Sequence, residues 1–166
     1  MSTKIAFFHG KSDKWYFNIM NFAIRVWTFG RYNHCELIQC PTENPDDWMW
    51  YSSSSFVDNG TRKKYIKPNL NKWDIYELDD KFNYTLAFEW MERRLGMKYD
   101  WVGIWLSQFM HTGINSPKRW FCSEFNSAAL QQTALMHNDR KSPQSYSPNR
   151  LYEKLSNMGA LHKWIG

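Results

Sequence analysis

The chain has 166 residues, a length that predicts one domain spanning residues 1–166 with a core of its own. Aromatic residues make up 18% of it, with 10 Trp, and the formal net charge of +5 is spread over short basic runs. No apolar run approaches the ~18 residues of a transmembrane helix, which excludes that class. The apolar stretch near the N-terminus is too short for a signal peptide and lacks a cleavage site, so we expect a cytoplasmic protein.

Three cysteines, Cys35, Cys40 and Cys122, form neither an even set nor a pair with the spacing of a zinc site. Free thiols of this kind favour a reducing compartment. A metal site made from His34 and the first two cysteines would lack the second pair of ligands that such sites use. The sequence therefore predicts neither a metal ion nor another cofactor.

The predicted elements divide the chain into a strand-rich first part and a helix-rich second part. The first part has predicted strands at 4–9, 34–40, 48–56, 61–66 and 73–78, a helix at 14–28 and a turn at Asp58-Asn59-Gly60. The second part has predicted helices at 83–95, 123–136 and 148–155, a segment of undecided type at 100–110 and a short strand at 161–165. Strands followed by helices are typical of an α+β domain.

Cys122 is the most informative residue, because aromatic residues precede it and a strong helix-forming stretch follows it. A sulfur in the first turn of a helix lies near unpaired backbone N–H groups and the positive end of the helix dipole, which lowers the thiol pKa. Cys35 and Cys40 fall in a predicted strand, where a buried and inert thiol is the usual outcome. The alternative for Cys122 is that it too is a buried structural cysteine.

A thiolate nucleophile needs a histidine, and His34 has the most telling surroundings of the five histidines. Because side chains alternate along a strand, His34 and Glu36 share one face. A carboxylate beside an imidazole raises the imidazole pKa and fixes its tautomer. The alternative is that both residues belong to the polar face of an ordinary strand.

Four segments of the chain follow one another in a characteristic order: residues 33–37, residues 50–55 with the turn at 58–62, residues 95–103 and residues 120–124. In that order they resemble the histidine strand, the next strand with its turn, the Gly-x-x-Tyr segment and the Cys-Ser-Glu helix start of a known family. This family is the circularly permuted branch of the NlpC-type papain-like cysteine hydrolases, the YiiX/YebB-like group. The resemblance spans roughly residues 5–135, which is most of the chain.

The resemblance implies a single permuted papain-like domain, a small antiparallel sheet or barrel packed against helices, with the histidine strand before the cysteine helix. It implies Cys122 as nucleophile, His34 as base and Tyr99 beside the nucleophile, with the Cys122 backbone N–H in an oxyanion hole. The family often places the third polar group at a position matching 51–53, where no carboxylate or amide stands. Glu36 is the better candidate, since an anion orients an imidazole more firmly than a hydroxyl group does.

The leading hypothesis is a cysteine hydrolase that cleaves an amide or ester bond through a covalent acyl-enzyme. The resemblance suggests a peptide, muropeptide or lipid acyl substrate, and no nucleic acid is required. An acyltransferase would use the same residues. The rival class is a catalytically silent papain-like module whose basic stretches and tryptophans bind nucleic acid or an anionic surface. A wall hydrolase without an export signal would fit a virus, acting in the host cytoplasm or carried in a particle.

Overall fold

A computed structural model of the chain describes residues 2–10, 30–54, 60–99 and 119–165. The predicted helix at 14–28, most of the predicted turn at 58–60 and the predicted segment at 100–110 lie outside these ranges. The strands are β1 (Ser2–Phe8), β2 (His34–Cys40), β3 (Met49–Ser54), β4 (Gly60–Tyr65), β5 (Trp73–Leu78), β6 (Lys98–Tyr99), β7 (Arg119–Trp120) and β8 (Leu161–Lys163). The α-helices are α1 (Thr85–Glu92), α2 (Cys122–Leu130) and α3 (Pro148–Asn157), and short 3-10 helices cover Pro45–Asp47 and Pro143–Ser145.

The strands form one sheet in the order β7-β6-β4-β3-β2-β1-β5-β8. Six adjacent strands of the sheet, β4-β3-β2-β1-β5-β8, are each antiparallel to their neighbours within this set. The short β6 adds antiparallel to β4, and β7 pairs in parallel with β6. An antiparallel sheet with helices gathered later in the chain confirms the α+β class.

The main core lies between one face of the sheet and the three helices. Alternate residues of the central strands supply the sheet side of this core, as period-two side-chain placement requires. Its members include Ile5, Phe7, Cys35, Leu37 and Leu78 from the sheet, and Phe88, Met91, Phe125, Ala129, Leu151 and Leu155 from the helices. A smaller cluster on the opposite face contains Ala6, Ile38, Cys40, Trp48, Trp50 and Ile75. None of the helices in the described ranges is long and apolar enough to cross a membrane.

Helix α2 begins one residue earlier and ends six residues sooner than the sequence predicts. After Leu130 the backbone hydrogen bonds tighten from four residues to three, as in the 3.0 Å bond from the Thr133 N–H to the Leu130 carbonyl. The Thr133 hydroxyl also donates to that carbonyl at 2.6 Å. Because this side chain competes for a helical acceptor, residues 131–138 continue as turns and not as helix.

The ladder between β2 and β3 is incomplete, and this gap positions the candidate site. Strand β1 pairs with every residue of β2, but within these fully described strands β3 pairs only with Leu37, Ile38 and Gln39. The first half of β2 is therefore open on the side that faces β3. Helix α2 packs against both strands at this opening.

Candidate active site

Cys122 is the first residue of α2, as the sequence predicts to within one position. Phe121 before it has an extended backbone, with φ −106° and ψ 165°, and its N–H donates to the Glu124 carboxylate at 3.4 Å. An acidic side chain in the first turn complements the positive end of the helix dipole. The Cys122 side chain, which is only 6% exposed, therefore lies beside the unpaired N–H groups of the helix.

Two polar contacts hold this helix start in the gap of the sheet. The Asn126 side chain, fully buried, donates to the Cys35 carbonyl at 2.9 Å and accepts the Leu37 N–H at 3.2 Å. On the other side of the gap, the Ser53 hydroxyl donates to the Trp120 carbonyl at 2.6 Å. The residues before and after the start of α2 are thus fastened to β3 and β2 respectively.

The structure brings Cys122 and His34 together across this gap. The two side chains interact through charge attraction and hydrogen bonding. Burial on its own would lower the pKa of His34, but the negative charge of Cys122, its hydrogen bond and the contacts with Glu36 raise that pKa to about 9. A hydrogen bond from Cys35 and the charge of His34 hold the pKa of Cys122 well below its usual range, against the effect of burial. Both shifts favour the thiolate form of Cys122 and the imidazolium form of His34.

Glu36 supports the imidazole from its other side. Its Oε1 lies 3.1 Å from His34 Nε2. Glu36 is 1% exposed, and the Arg62 guanidinium binds it through two nitrogens at 2.6 and 2.8 Å. Burial raises the pKa of Glu36, but the charge of Arg62 and the contact with His34 lower it below its usual range. The carboxylate is therefore charged and fixed in place.

Ser52, on the strand after the histidine, is a weaker partner of the imidazole. Its Oγ lies 3.5 Å from His34 Nε2, at the limit of a hydrogen bond, and donates to the Cys35 carbonyl at 2.8 Å. The sequence offers Glu36 or a residue of 51–53 as the third polar group, and Glu36 makes a closer contact with the ring than Ser52 does. Tyr99 lies in β6, where its backbone pairs with Trp120, and its side chain lies outside the described part of the structure.

The site also contains residues that sequence reasoning did not assign to it. Cys35, fully buried, donates to the Cys122 sulfur, and burial followed by that contact raises its pKa well above the usual range. Arg62 was missed because nothing in its local sequence marks it. Asn126 was missed although the sequence carries a signal for it, since it stands four residues after Cys122 and therefore on the same helix face.

Asn33, directly before His34, is a further buried polar residue beside the site. It is 6% exposed, and both its amide nitrogen and its amide oxygen lack a hydrogen-bond partner among the described residues. A buried amide without a partner is uncommon and costly. A polar group of a bound molecule would relieve that cost.

Metal binding is the other chemistry that cysteine and histidine side chains commonly support. Within residues 2–10, 30–54, 60–99 and 119–165, no group of three His, Cys, Asp or Glu side chains lies close enough to hold a metal ion. The indole ring of Trp73 stands edge-on to the His34 ring, with 6.0 Å between their centres. Groups of alternating charge are therefore in contact from Arg62 through Glu36 and His34 to Cys122, and an aromatic ring lies beside them.

Comparison with known proteins finds no protein-family model and no curated protein that matches this chain.

Proposed function

We propose that the protein is a cysteine hydrolase of the permuted papain-like kind, which cleaves an amide or ester bond through a covalent acyl-enzyme. The observation that carries the proposal is the ion pair of Cys122 and His34 at the start of α2. A thiolate is the reactive form of cysteine, and a neighbouring imidazolium is the acid that an amine leaving group needs.

In the first half of the reaction the Cys122 sulfur attacks the substrate carbonyl carbon and forms a tetrahedral intermediate. The Cys122 backbone N–H, at the positive end of α2, is suited to bind the oxyanion. His34 then gives its proton to the leaving nitrogen or oxygen as the carbon–heteroatom bond breaks. The products of this half are a thioester on Cys122 and a neutral imidazole.

In the second half the neutral imidazole takes a proton from water, and the resulting hydroxide attacks the thioester. The carbon–sulfur bond breaks, the acid leaves, and the thiolate and imidazolium are restored. Glu36 holds the ring through Nε2 in both halves and stabilises its charged form. If an amine or alcohol took the place of water, the same steps would give acyl transfer.

The substrate that we propose is uncharged at the reacting bond. Arg62, Glu36, His34 and Cys122 carry two positive and two negative charges, so the site has little net charge to select an ion. Trp73 beside the imidazole offers an apolar surface to a sugar ring or an acyl chain. A peptide, a muropeptide and a lipid acyl group all fit this description.

Trapping the acyl-enzyme tests the proposal without knowledge of the substrate. Brief treatment with p-nitrophenyl acetate at neutral pH should place one acetyl group on Cys122, as seen by peptide mass spectrometry. Cys122→Ala should abolish the acetylation and Cys40→Ala should not, because burial raises the pKa of Cys40 to about 11. His34→Ala should slow the formation and the hydrolysis of the acetyl-enzyme.

Acetylation of Cys40 in preference to Cys122, or a release of p-nitrophenol that persists in Cys122→Ala, would show that the site is not a thiol hydrolase. Adding hydroxylamine or a primary amine to the acetyl-enzyme separates the two reaction types. A large excess of transfer product over acetate at low amine concentration would favour an acyltransferase.

A further inference from the structure

Cys35 is a buried thiol that the proposed hydrolysis does not use. It lies on the face of β2 that packs against α2, and it is fully buried. Its sulfur lies 3.5 Å from the amide nitrogen of Asn126, which also bonds to the Cys35 backbone. Cys122 is one helical turn before Asn126 on the same helix face, and the Cys35 thiol donates a hydrogen bond to the Cys122 sulfur.

We propose that Cys122 and Cys35 form a peroxide-sensitive dithiol site, in which hydrogen peroxide converts the two cysteines to an intramolecular disulfide. The proposal goes beyond hydrolysis, because it needs only the two sulfurs and the imidazolium. All three cysteines are free in the structure, so the site as described is the reduced form.

The chemistry takes two steps. The Cys122 thiolate attacks one oxygen of hydrogen peroxide, the oxygen–oxygen bond breaks, and the His34 proton converts the departing hydroxide to water. Cys122 is then a sulfenic acid. In the second step the Cys35 sulfur attacks the Cys122 sulfur, and the sulfenic hydroxyl leaves as a second water with the Cys35 proton. The two cysteines lose two electrons, and the peroxide gains them.

Cys122 and Cys35 have different roles in this reaction because their surroundings differ. Cys122 reacts first, since the hydrogen bond from Cys35 and the charge of His34 favour its thiolate. Cys35 remains a thiol until the sulfenic acid forms, because burial and the neighbouring sulfur oppose its ionisation. A disulfide would block the nucleophile, protect it from irreversible oxidation, and be reversed by a thiol reductant.

Cys40 is the matched control for this site. It lies on the same strand as Cys35, is equally buried at 1% exposed, and belongs to the cluster on the opposite face of the sheet. The helix α2 packs on the other face, so Cys40 has no path to Cys122 in the folded protein.

The experiment treats the reduced, folded protein with hydrogen peroxide, removes the peroxide, unfolds the chain in urea, and blocks the remaining thiols with N-ethylmaleimide. The cysteines are then mapped by mass spectrometry without reduction. We expect the loss of two hydrogens, one blocked cysteine at Cys40, and a cross-linked peptide pair containing Cys35 and Cys122. Dithiothreitol should restore three free thiols. The Cys40→Ser variant should form the same cross-link, and in Cys35→Ser the oxidation of Cys122 should proceed to the sulfinic acid.

Two results would overturn the proposal. In the wild-type protein, Cys122 could gain two oxygens while Cys35 stays a thiol, or the cross-link could involve Cys40. The wild-type map decides the matter even if Cys35→Ser fails to fold. Either result, with p-nitrophenyl acetate still acetylating Cys122, would leave the hydrolase proposal standing. A Cys122 inert to both peroxide and p-nitrophenyl acetate would sink both.

Discussion

The side-chain amide of Asn126 takes the place of a β-strand beside Cys35. Its nitrogen donates to the Cys35 carbonyl at 2.9 Å and its oxygen accepts the Leu37 N–H at 3.2 Å. These are the two groups of β2 that β3 would satisfy if the ladder between the strands continued. An amide side chain has one donor end and one acceptor end, as a peptide unit does. Helix α2 can therefore enter the sheet without leaving buried backbone groups unpaired.

Replacing Asn126 with Ala should lower the stability of the whole domain. The change leaves a buried carbonyl and a buried N–H without this partner, and we expect the free energy of unfolding to fall by about 3 kcal/mol. Urea denaturation followed by tryptophan fluorescence measures the change. Asn157→Ala, at the exposed end of helix α3, is the matched control and should cost under ~0.5 kcal/mol. Equal losses in the two variants would contradict the role of Asn126.

The reaction of Cys122 with iodoacetamide should depend little on pH between about 6 and 8, because its pKa lies well below the usual range. An ordinary thiol would react about tenfold faster for each pH unit over that range. His34→Ala removes the positive charge, so the pKa of Cys122 should rise and its rate near pH 6 should fall by about tenfold or more. Peptide mapping of the label gives the rates.

Cys40 serves as the internal reference in that experiment, since burial keeps its pKa near 11 and its label should stay low throughout. A steep pH dependence for Cys122 in the wild-type protein would show that the thiolate is not stabilised at the helix start.

Glu36→Gln should shift the alkaline limit of hydrolysis. The reaction needs a protonated His34, so its rate should fall as the pH rises through about 9 in the wild-type protein. Without the carboxylate the pKa of His34 should drop, because both the hydrogen bond and the charge of Glu36 raise it. We expect the limit to move to lower pH and the maximal rate to fall by about tenfold or more.

Ser52→Ala is the control for Glu36→Gln. Its hydroxyl mainly bonds the Cys35 carbonyl, so the variant should lose about 1 kcal/mol of stability and keep the alkaline limit. A shift of that limit in Ser52→Ala with none in Glu36→Gln would make Ser52 the partner of the imidazole.

Arg62→Gln should destabilise the protein at neutral pH by about 3 kcal/mol or more, because it leaves the buried Glu36 carboxylate without its strongest partner. The lowered pKa of Glu36 in the folded wild-type protein means that the unfolded chain binds more protons near the ordinary value of 4.5. Wild-type stability therefore gains from Glu36 above that pH and loses this gain as the pH falls through the lowered pKa. In Arg62→Gln that dependence should weaken or reverse, as urea denaturation at several pH values would show. An unchanged acid dependence would contradict the account of Glu36.

Local sequence was enough for the parts of the site that depend on one element. The strands β2 and β5 have the bounds that the apolar runs predict, because these runs end at Pro or polar residues. The contact of His34 with Glu36 follows from the alternation of one strand, and the position of Cys122 follows from the start of one helix. The family resemblance and the catalytic roles stay predictions.

The tertiary structure alone decided which distant residues join that site. Arg62 reaches Glu36 because of the register between β3 and β4, which pairs Ser52 with Arg62. Cys35 meets Cys122 because the ladder between β2 and β3 stops and α2 enters the gap. Strand register and helix placement are set by the packing of the whole core. The bond from Arg62 to Glu36 joins residues 26 positions apart, and the bond from Asn126 to Cys35 joins residues 91 positions apart. A local pattern carries no information on such pairs, since it fixes the face of each side chain but not the neighbour opposite it.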